Sequence, residues 1–394
     1  MKDKLLIVTG SSGRIGKAFI ADFLRKNPQE YSIVGLDLFA PGESIENFEF
    51  IKTYLSAERP TDPKMNAADA LDLHGALAQI KKKHGNHITS FIHLAAYYSF
   101  LDGDWPQYQD ITVNGTKRIL ESLSKDFKCD QLIFTSTMLV HKPTEPGHPI
   151  NENTPLPAAE DAWLYPRSKI LTEKIIHDLG KDISQITILR ICGLYDDDCN
   201  SIPLSNQIQR IFEQLMPDAL LFPGNSKHGA PFMHMKDMVA VLAATVEKRA
   251  KLLREITFLV AEPETLSYDT LQREFGKLIN GKEMRTIRIP SIIAIVGSWL
   301  QNALPFMPKW DSHGFFIDKR KPFIQPWMIP HADDHYELDL SLAKKHLDWT
   351  PKHSLRHEMA KMIEKLKAHP VKWYKMNKLL SPKWLASTEK KNKK

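Results

Sequence analysis

The chain has 394 residues, 42% hydrophobic and 25% charged, which is enough to bury one large or two smaller cores and too mixed for a fibrous or disordered protein. Its formal charge of +6 sits at one end: from Val371 to Lys394 stand eight lysines and one glutamate, so the rest is close to neutral and nucleic-acid binding is not indicated. Three cysteines (Cys129, Cys192, Cys199) at irregular spacing argue against a disulfide framework or a zinc motif and fit a cytoplasmic setting; the short apolar run 5–8 leads into a glycine turn rather than a cleavage site, so no signal peptide is expected.

In chain order, 4–9 reads as a buried strand and 14–25 as the helix after it. Residues 31–38 form a second strand and 48–55 a third. Ala70, Leu73, Leu77 and Ile80 give 67–83 a helical apolar spacing. Then follow a strand at 88–95, a helix at 108–123, a strand at 131–137, a helix at 165–178 and a strand at 185–191. Strands alternating with helices imply right-handed crossovers and a parallel sheet covered on both faces. After Tyr195 prolines become frequent, and helices are expected at 203–215, 235–248, 268–279, 291–303, 341–346 and 355–368. The expected domains are therefore 1–195 for the sheet, 196–370 for a smaller mixed α/β substrate lobe with some segments returning to the sheet, and 371–394 for a lysine-rich tail.

The first strand, Leu5-Leu6-Ile7-Val8-Thr9, runs into Gly10-Ser11-Ser12-Gly13-Arg14-Ile15-Gly16. Glycines at this spacing allow a tight turn and close backbone approach to a pyrophosphate, while the following helix aims free N–H groups and its positive dipole end at the phosphates. Asp37, 21 residues after Gly16 at the end of the next strand, stands where a carboxylate meets ribose hydroxyls. That carboxylate repels a 2′-phosphate and favours NAD over NADP, although Arg14 is a basic residue that could meet such a phosphate. Together these features predict an α/β fold with a Rossmann-type doubly wound parallel sheet.

Far downstream, Tyr165-Pro166-Arg167-Ser168-Lys169 places a phenol and an ammonium four residues apart, on one face of the expected helix. A nearby ammonium and a positive nicotinamide both favour the phenolate, so Tyr165 could take a hydroxyl proton near neutral pH. Thr135-Ser136-Thr137 ends the strand at 131–137, and strand C-terminal ends are where open α/β sheets bind ligands.

These segments together resemble the extended short-chain dehydrogenase/reductase family, the epimerase/dehydratase branch, from Leu5 to about Pro351. Phe91-Ile92-His93-Leu94-Ala95-Ala96 looks like its cofactor-lining fourth strand, so the resemblance places Ile15, Leu94, Ala95 and Ala96 beside the cofactor with Gly10, Gly13, Arg14, Gly16 and Asp37. Val113-Asn114-Gly115-Thr116, the run Leu189 to Tyr195, and Glu337-Leu338-Asp339-Leu340-Ser341 with Asp348-Trp349-Thr350-Pro351 resemble further family segments. The resemblance makes Thr137, Tyr165 and Lys169 the catalytic set, with Lys169 on the nicotinamide ribose. The family's adenine-contacting aspartate falls in register on Tyr54, with Leu55 beside it; Asp69 and Asp72 are alternatives. The resemblance implies bound NAD, a small-molecule substrate and a homodimer through two helices per subunit.

Departures from the family bear on substrate. Nucleotide-sugar members carry an asparagine where this chain has Gly193, and a phosphate-gripping arginine in register with Ala230. A lost charge-assisted phosphate contact argues against a nucleotide sugar. Met138-Leu139 stands where sugar 4,6-dehydratases have an acidic pair. The run Arg190-Ile191-Cys192-Gly193-Leu194-Tyr195 looks more like the 3β-hydroxysteroid dehydrogenase and dihydroflavonol reductase branches. The expected function is an NAD-dependent oxidoreductase of a secondary alcohol or ketone, with a nucleotide-sugar 4-epimerase as first alternative and a non-catalytic NAD-sensing protein as second.

The apolar run 291–300 is too short to span a membrane. It reads as a core or dimer-facing helix, with a lipophilic substrate entrance or a peripheral membrane contact as the alternative, kept open by Trp310 and Lys309 in 304–310. The tail reads as a solvated extension, with contact to anionic lipid or a partner through Trp373, Tyr374 and Trp384 as the alternative. His331-Ala332-Asp333-Asp334-His335 lacks the spacing of a metal site, and no metal is expected.

Overall fold

The computed structural model describes residues 4–42, 45–99, 103–215, 219–304, 308–311, 314–317, 322–382 and 384–385. Eight parallel strands form the main sheet: β1 (Lys4–Thr9), β2 (Tyr31–Asp37), β3 (Phe48–Tyr54), β4 (Leu71–Asp72), β5 (Ser90–His93), β6 (Gln131–Thr137), β7 (Gln185–Ile191) and β8 (Glu255–Val260). Their spatial order is β8-β7-β6-β5-β1-β2-β3-β4, with every neighbouring pair parallel. Chain direction across the sheet reverses between β1 and β5, which opens a crevice beyond the strand ends there. The strands are near-continuous apolar runs because both faces are covered.

One face packs under α1 (Arg14–Lys26) and, later in the chain, Met235–Glu247; Phe19, Ile20 and Phe23 meet Met238, Val241 and Leu242 in one core. The other face packs under α2 (Leu73–His84), α3 (Gly115–Asp126) and α4 (Leu164–Leu179), with Leu77, Ile80, Ile119, Leu123 and Ile176 buried. A third core gathers the C-terminal helices around Tyr195, Phe275, Met359 and Met362.

Several elements differ from the sequence expectation. Helix α2 begins six residues late, because Asp72 accepts the Gly75 N–H at 2.7 Å and caps it. The helix expected from 108 opens as a wide π turn over Tyr108–Asn114 before α3 begins. Strand β8 was not legible in the sequence, yet it forms one edge of the sheet beside β7. The lysine-rich end does not start as a solvated extension. Pro370–Met376 is helical, Trp373 and Tyr374 are buried, and the Tyr374 hydroxyl donates to Glu213 at 2.7 Å. Residues 386–394 lie outside the described residues. No helix among the described residues is long and apolar enough to cross a membrane.

The helix Ser291–Ala303, here α5, departs most from expectation. It is not a core helix: Ile292, Ile293, Val296, Trp299 and Leu300 are all exposed, while Ser298 is buried. The segment 305–307 and the side chains of 308–310 lie outside the described residues.

Candidate active site

The glycine turn closes on itself by a bond from the Gly13 N–H to the Gly10 carbonyl at 3.0 Å. Gly10 has φ +70°, and a Cβ there would lie 2.8 Å from the Ala95 nitrogen. A Cβ on Gly16 would lie 2.3 Å from the Gly10 carbonyl oxygen. The turn therefore tolerates no side chain at either place, and it holds the start of α1 against the end of β1. The hydroxyl oxygens of Ser11 and Ser12 are buried without a hydrogen-bond partner. Buried orphan hydroxyls beside a cleared backbone fit a pyrophosphate at this helix start.

Asp37 ends β2 across from the turn, accepting the Ser12 N–H at 3.0 Å through one oxygen and the Phe39 N–H at 3.0 Å through the other. The Arg14 guanidinium is held by Asp196 at 2.9 Å and by the Asn200 carbonyl, so it ties the turn to the segment after β7. Leu55 is buried directly after β3 and its carbonyl accepts from Arg118 at 3.1 Å. The two alternative carboxylates are engaged elsewhere: Asp72 caps α2, and Asp69 pairs with Lys52. Leu94, Ala95 and Ala96 follow β5 on the other side of the crevice.

Beneath that segment a buried chain of hydrogen bonds fixes β5. The Thr116 hydroxyl donates to the Thr112 carbonyl at 2.7 Å, so it accepts from His93 Nε2 at 2.9 Å. His93 Nδ1 then accepts from the Thr9 hydroxyl at 2.7 Å, and Thr9 accepts in turn from the Ala95 N–H at 3.3 Å. Burial, with Lys169 adding to it, pushes the His93 imidazole down to about 3, so this ring is neutral.

Strand β6 presents alternate hydroxyls to opposite faces. Thr137 ends the strand, buried, with its hydroxyl near the Tyr165 phenol and accepting the Leu139 N–H at 3.3 Å. Ser136 points the other way and donates to Glu173. The Lys169 ammonium donates to the Thr135 carbonyl at 2.8 Å and lies 4.6 Å from the centre of the Phe134 ring. Thr137, Tyr165 and Lys169 are thus drawn together by α4 packing along β6.

The electrostatics differ from the sequence expectation. The phenol of Tyr165 lies well above its ordinary range, because burial and the neighbouring Tyr98 outweigh the influence of the Thr137 hydroxyl. The Lys169 ammonium, which donates to the Thr135 carbonyl, does not offset that rise. Burial brings the Lys169 ammonium down to about 7, against Glu173 one helical turn further on. Glu173 is itself clamped by Arg190 at 2.7 and 3.2 Å, and Arg190 reaches His141 at 3.0 Å. This buried pair fixes α4 against β7 and, through Glu173, sets the charge environment of Lys169.

Sequence reading missed the aromatic wall around Tyr165. Tyr98 meets it edge-on with ring centroids 5.0 Å apart, and Trp163 lies 5.9 Å away. Trp163 also packs on Trp327 at 5.6 Å and on His331 at 6.0 Å. The only sequence signal was the density of rings near 98 and 163. Arg167, inside the Tyr-Pro-Arg-Ser-Lys motif, instead lies over the Trp105 ring at 4.2 Å. The departures noted at Gly193 and Ala230 also acquire a setting. A Cβ on Gly193 would lie 3.0 Å from the Phe232 ring, so an asparagine there would require the ring to move. Among the described residues no group of three or more His, Cys, Asp or Glu could hold a metal ion.

The doubly wound parallel sheet and the glycine-cleared turn at its switch point are those of a Rossmann-type dinucleotide fold, with Thr137 and Lys169 buried and Tyr165 half-buried beyond the strand ends. Residues 6–261 match the NAD dependent epimerase/dehydratase family. The chain belongs to that family and is an NAD-dependent enzyme. Among solved structures, the fold is similar to UDP-glucuronic acid 4-epimerase from Bacillus cereus in complex with UDP-glucuronic acid and NAD, at 20% identity and TM-score 0.61, covering 92% of this chain and 99% of that one. It is also similar to UDP-glucose 4-epimerase from Thermotoga maritima with UDP-glucose, at 18% identity and TM-score 0.61 over 92% and 99% of the two chains. A short-chain dehydrogenase/reductase superfamily protein from Agrobacterium tumefaciens with bound NAD gives 17% identity and TM-score 0.62 over 95% and 99%. No curated protein matches the chain.

Proposed function

We propose that the protein moves a hydride between NAD and a secondary alcohol or ketone whose surroundings are apolar. The observation that carries this reading is the wall of rings, Tyr98, Trp163 and Trp327, around the Tyr165 phenol. In this reading Gly10, Gly13, Ile15 and Gly16 hold the pyrophosphate, and Asp37 takes the adenosine ribose. Leu55, Leu94, Ala95 and Ala96 line the cofactor, and Arg14 braces the turn. When bound, the nicotinamide supplies the hydride acceptor and brings a positive charge that offsets the burial of the phenol. Tyr165 takes the hydroxyl proton during oxidation and returns it to the carbonyl oxygen during reduction. Thr137 orients that oxygen and Lys169 holds the ribose, while the nicotinamide charge favours the ionised phenol. A homodimer and a cytoplasmic setting belong to the same reading.

Tyr165→Phe is expected to lower turnover by about 10²–10⁴-fold while NAD binding persists. Full turnover in that variant, measured as NADH formation across a panel of apolar secondary alcohols, would sink the assignment. A second reading is a nucleotide-sugar 4-epimerase using the same three side chains, favoured by the similar folds of the UDP-sugar epimerases. Calorimetric titration with UDP separates the two: tight UDP binding supports the epimerase, and its absence supports the apolar substrate.

A further inference from the structure

Helix α5 is amphipathic in the reverse sense. Ile292, Ile293, Val296, Trp299, Leu300 and, just past its end, Leu304 are between 51% and 72% exposed. At 100° per residue they form one stripe about 140° wide. The opposite side, turned to the protein, carries Ser298, Gln301 and Asn302 beside half-buried Ala294 and Ile295. Ser298 is buried, and the Asn302 amide donates to the Ser298 carbonyl at 2.8 Å and the Ile324 carbonyl at 3.2 Å. The polar side thus has its partners inside the protein, and the apolar stripe is exposed among the described residues. A contiguous outward stripe of this kind marks an interaction surface rather than scattered surface hydrophobics.

Charge selects the occupant. The segment leading into α5 exposes Arg285, Ile287 and Arg288. From Arg285 to Trp310 the sequence contains no aspartate or glutamate. A protein interface carries a rim of mixed charge, whereas an anionic headgroup layer needs only cations at the border of an apolar stripe that includes tryptophan. At 13 residues the helix is about 20 Å long, too short to cross a hydrocarbon core, so it would lie in the plane of the interface.

We propose that α5 with Arg285 and Arg288 is a docking surface for an anionic lipid bilayer. The helix packs on Pro326–Asp333, which carries Trp327 and His331 against Trp163 beside Tyr165. Docking would therefore bring the aromatic wall close to the lipid surface. The docking proposal is independent of the substrate reading and is tested without turnover.

The test is cosedimentation of the full-length chain with phosphatidylcholine vesicles, with and without phosphatidylglycerol. The expected result is retention on the anionic vesicles, weakened by salt. Ile293→Asp combined with Trp299→Asp should lower binding at least about tenfold with the thermal transition unchanged. Arg285→Ala with Arg288→Ala should reduce retention on the anionic vesicles while leaving the fold intact. Failure to sediment with either vesicle, or equal retention on both, overturns the proposal. So does a dimer, seen by light scattering, that the Asp substitutions dissociate without any vesicle binding, because a second copy then covers the stripe.

Discussion

Helices α1 and α5 have the same length, 13 residues, and both repeat apolar side chains at helical spacing. In α1 the stripe of Phe19, Ile20, Phe23 and Leu24 lies on the sheet, while Lys17, Arg25 and Lys26 face out. In α5 the stripe faces out, and the buried position is Ser298. Periodicity shows that a helix has two unlike faces, but not which face meets the protein. For α1 the answer follows from its place in a crossover between two apolar strands. For α5 it follows from the neighbour: the segment around Ile324 offers a backbone carbonyl, which a polar side chain must satisfy.

The comparison breaks most readily at its two aromatic positions. Phe23→Ala should cost about 3–5 kcal/mol in urea unfolding, because it empties a close-packed site. Trp299→Ala should stay within about 0.5 kcal/mol, because its ring is already in solvent. Similar losses in both would mean that α5 is buried in the protein as it exists in solution.

Acid should separate the same regions. His93 is held neutral with its value near 3, against about 6.5 in the unfolded chain, so the unfolded state binds more protons between those limits. Stability contributed by the neutral ring is intact above pH 6.5 and falls as pH drops toward 3, with a slope of up to about 1.4 kcal/mol per unit. His93→Gln, which keeps a donor and an acceptor for the two threonines, should flatten that slope in unfolding measurements at stepped pH. Substitutions on the α5 stripe should leave it unchanged. An unaltered slope in His93→Gln would show that the ring is not the group responsible.

Two glycines, one in each helix, should change stability less than Phe23→Ala and in opposite directions. Gly16→Ala drives a Cβ into the Gly10 carbonyl and should cost about 1–3 kcal/mol together with NAD affinity. Gly297→Ala, inside α5 with nothing within 4 Å of the new Cβ, should stabilise by about 0.5–1 kcal/mol. Thermal melts of the pair, with an NAD titration of the first, check both signs; a stable Gly16→Ala with full NAD affinity would show that the turn is not tightly closed.

Much of the sheet was legible because a strand buried on both faces is a short apolar run, and such runs alternated with helical spacing as far as Ile191. Strand β8 lies past Tyr195, where frequent prolines loosen the alternation, so its six residues stood outside the pattern that marked the others. Thr137, Tyr165 and Lys169 were legible as strand-end and helix-face positions. Their electrostatics were not: burial, which raises Tyr165 and lowers Lys169, depends on how α4 lies on β6. The pairing of Glu173 with Arg190, the relay from Thr9 through His93 to Thr116, and the approach of Trp327 to Trp163 join residues 17 to 164 positions apart.

By itself, then, the sequence determined local order: which segments are strands or helices, where the glycine turn must bend, and which residue types stand at the strand ends. The tertiary structure decided which way each face points, which charges are stripped of water, and which rings surround the phenol. The physical reason is that backbone geometry and periodicity are properties of neighbouring residues, whereas burial and long-range contact are set by packing between elements far apart in the chain.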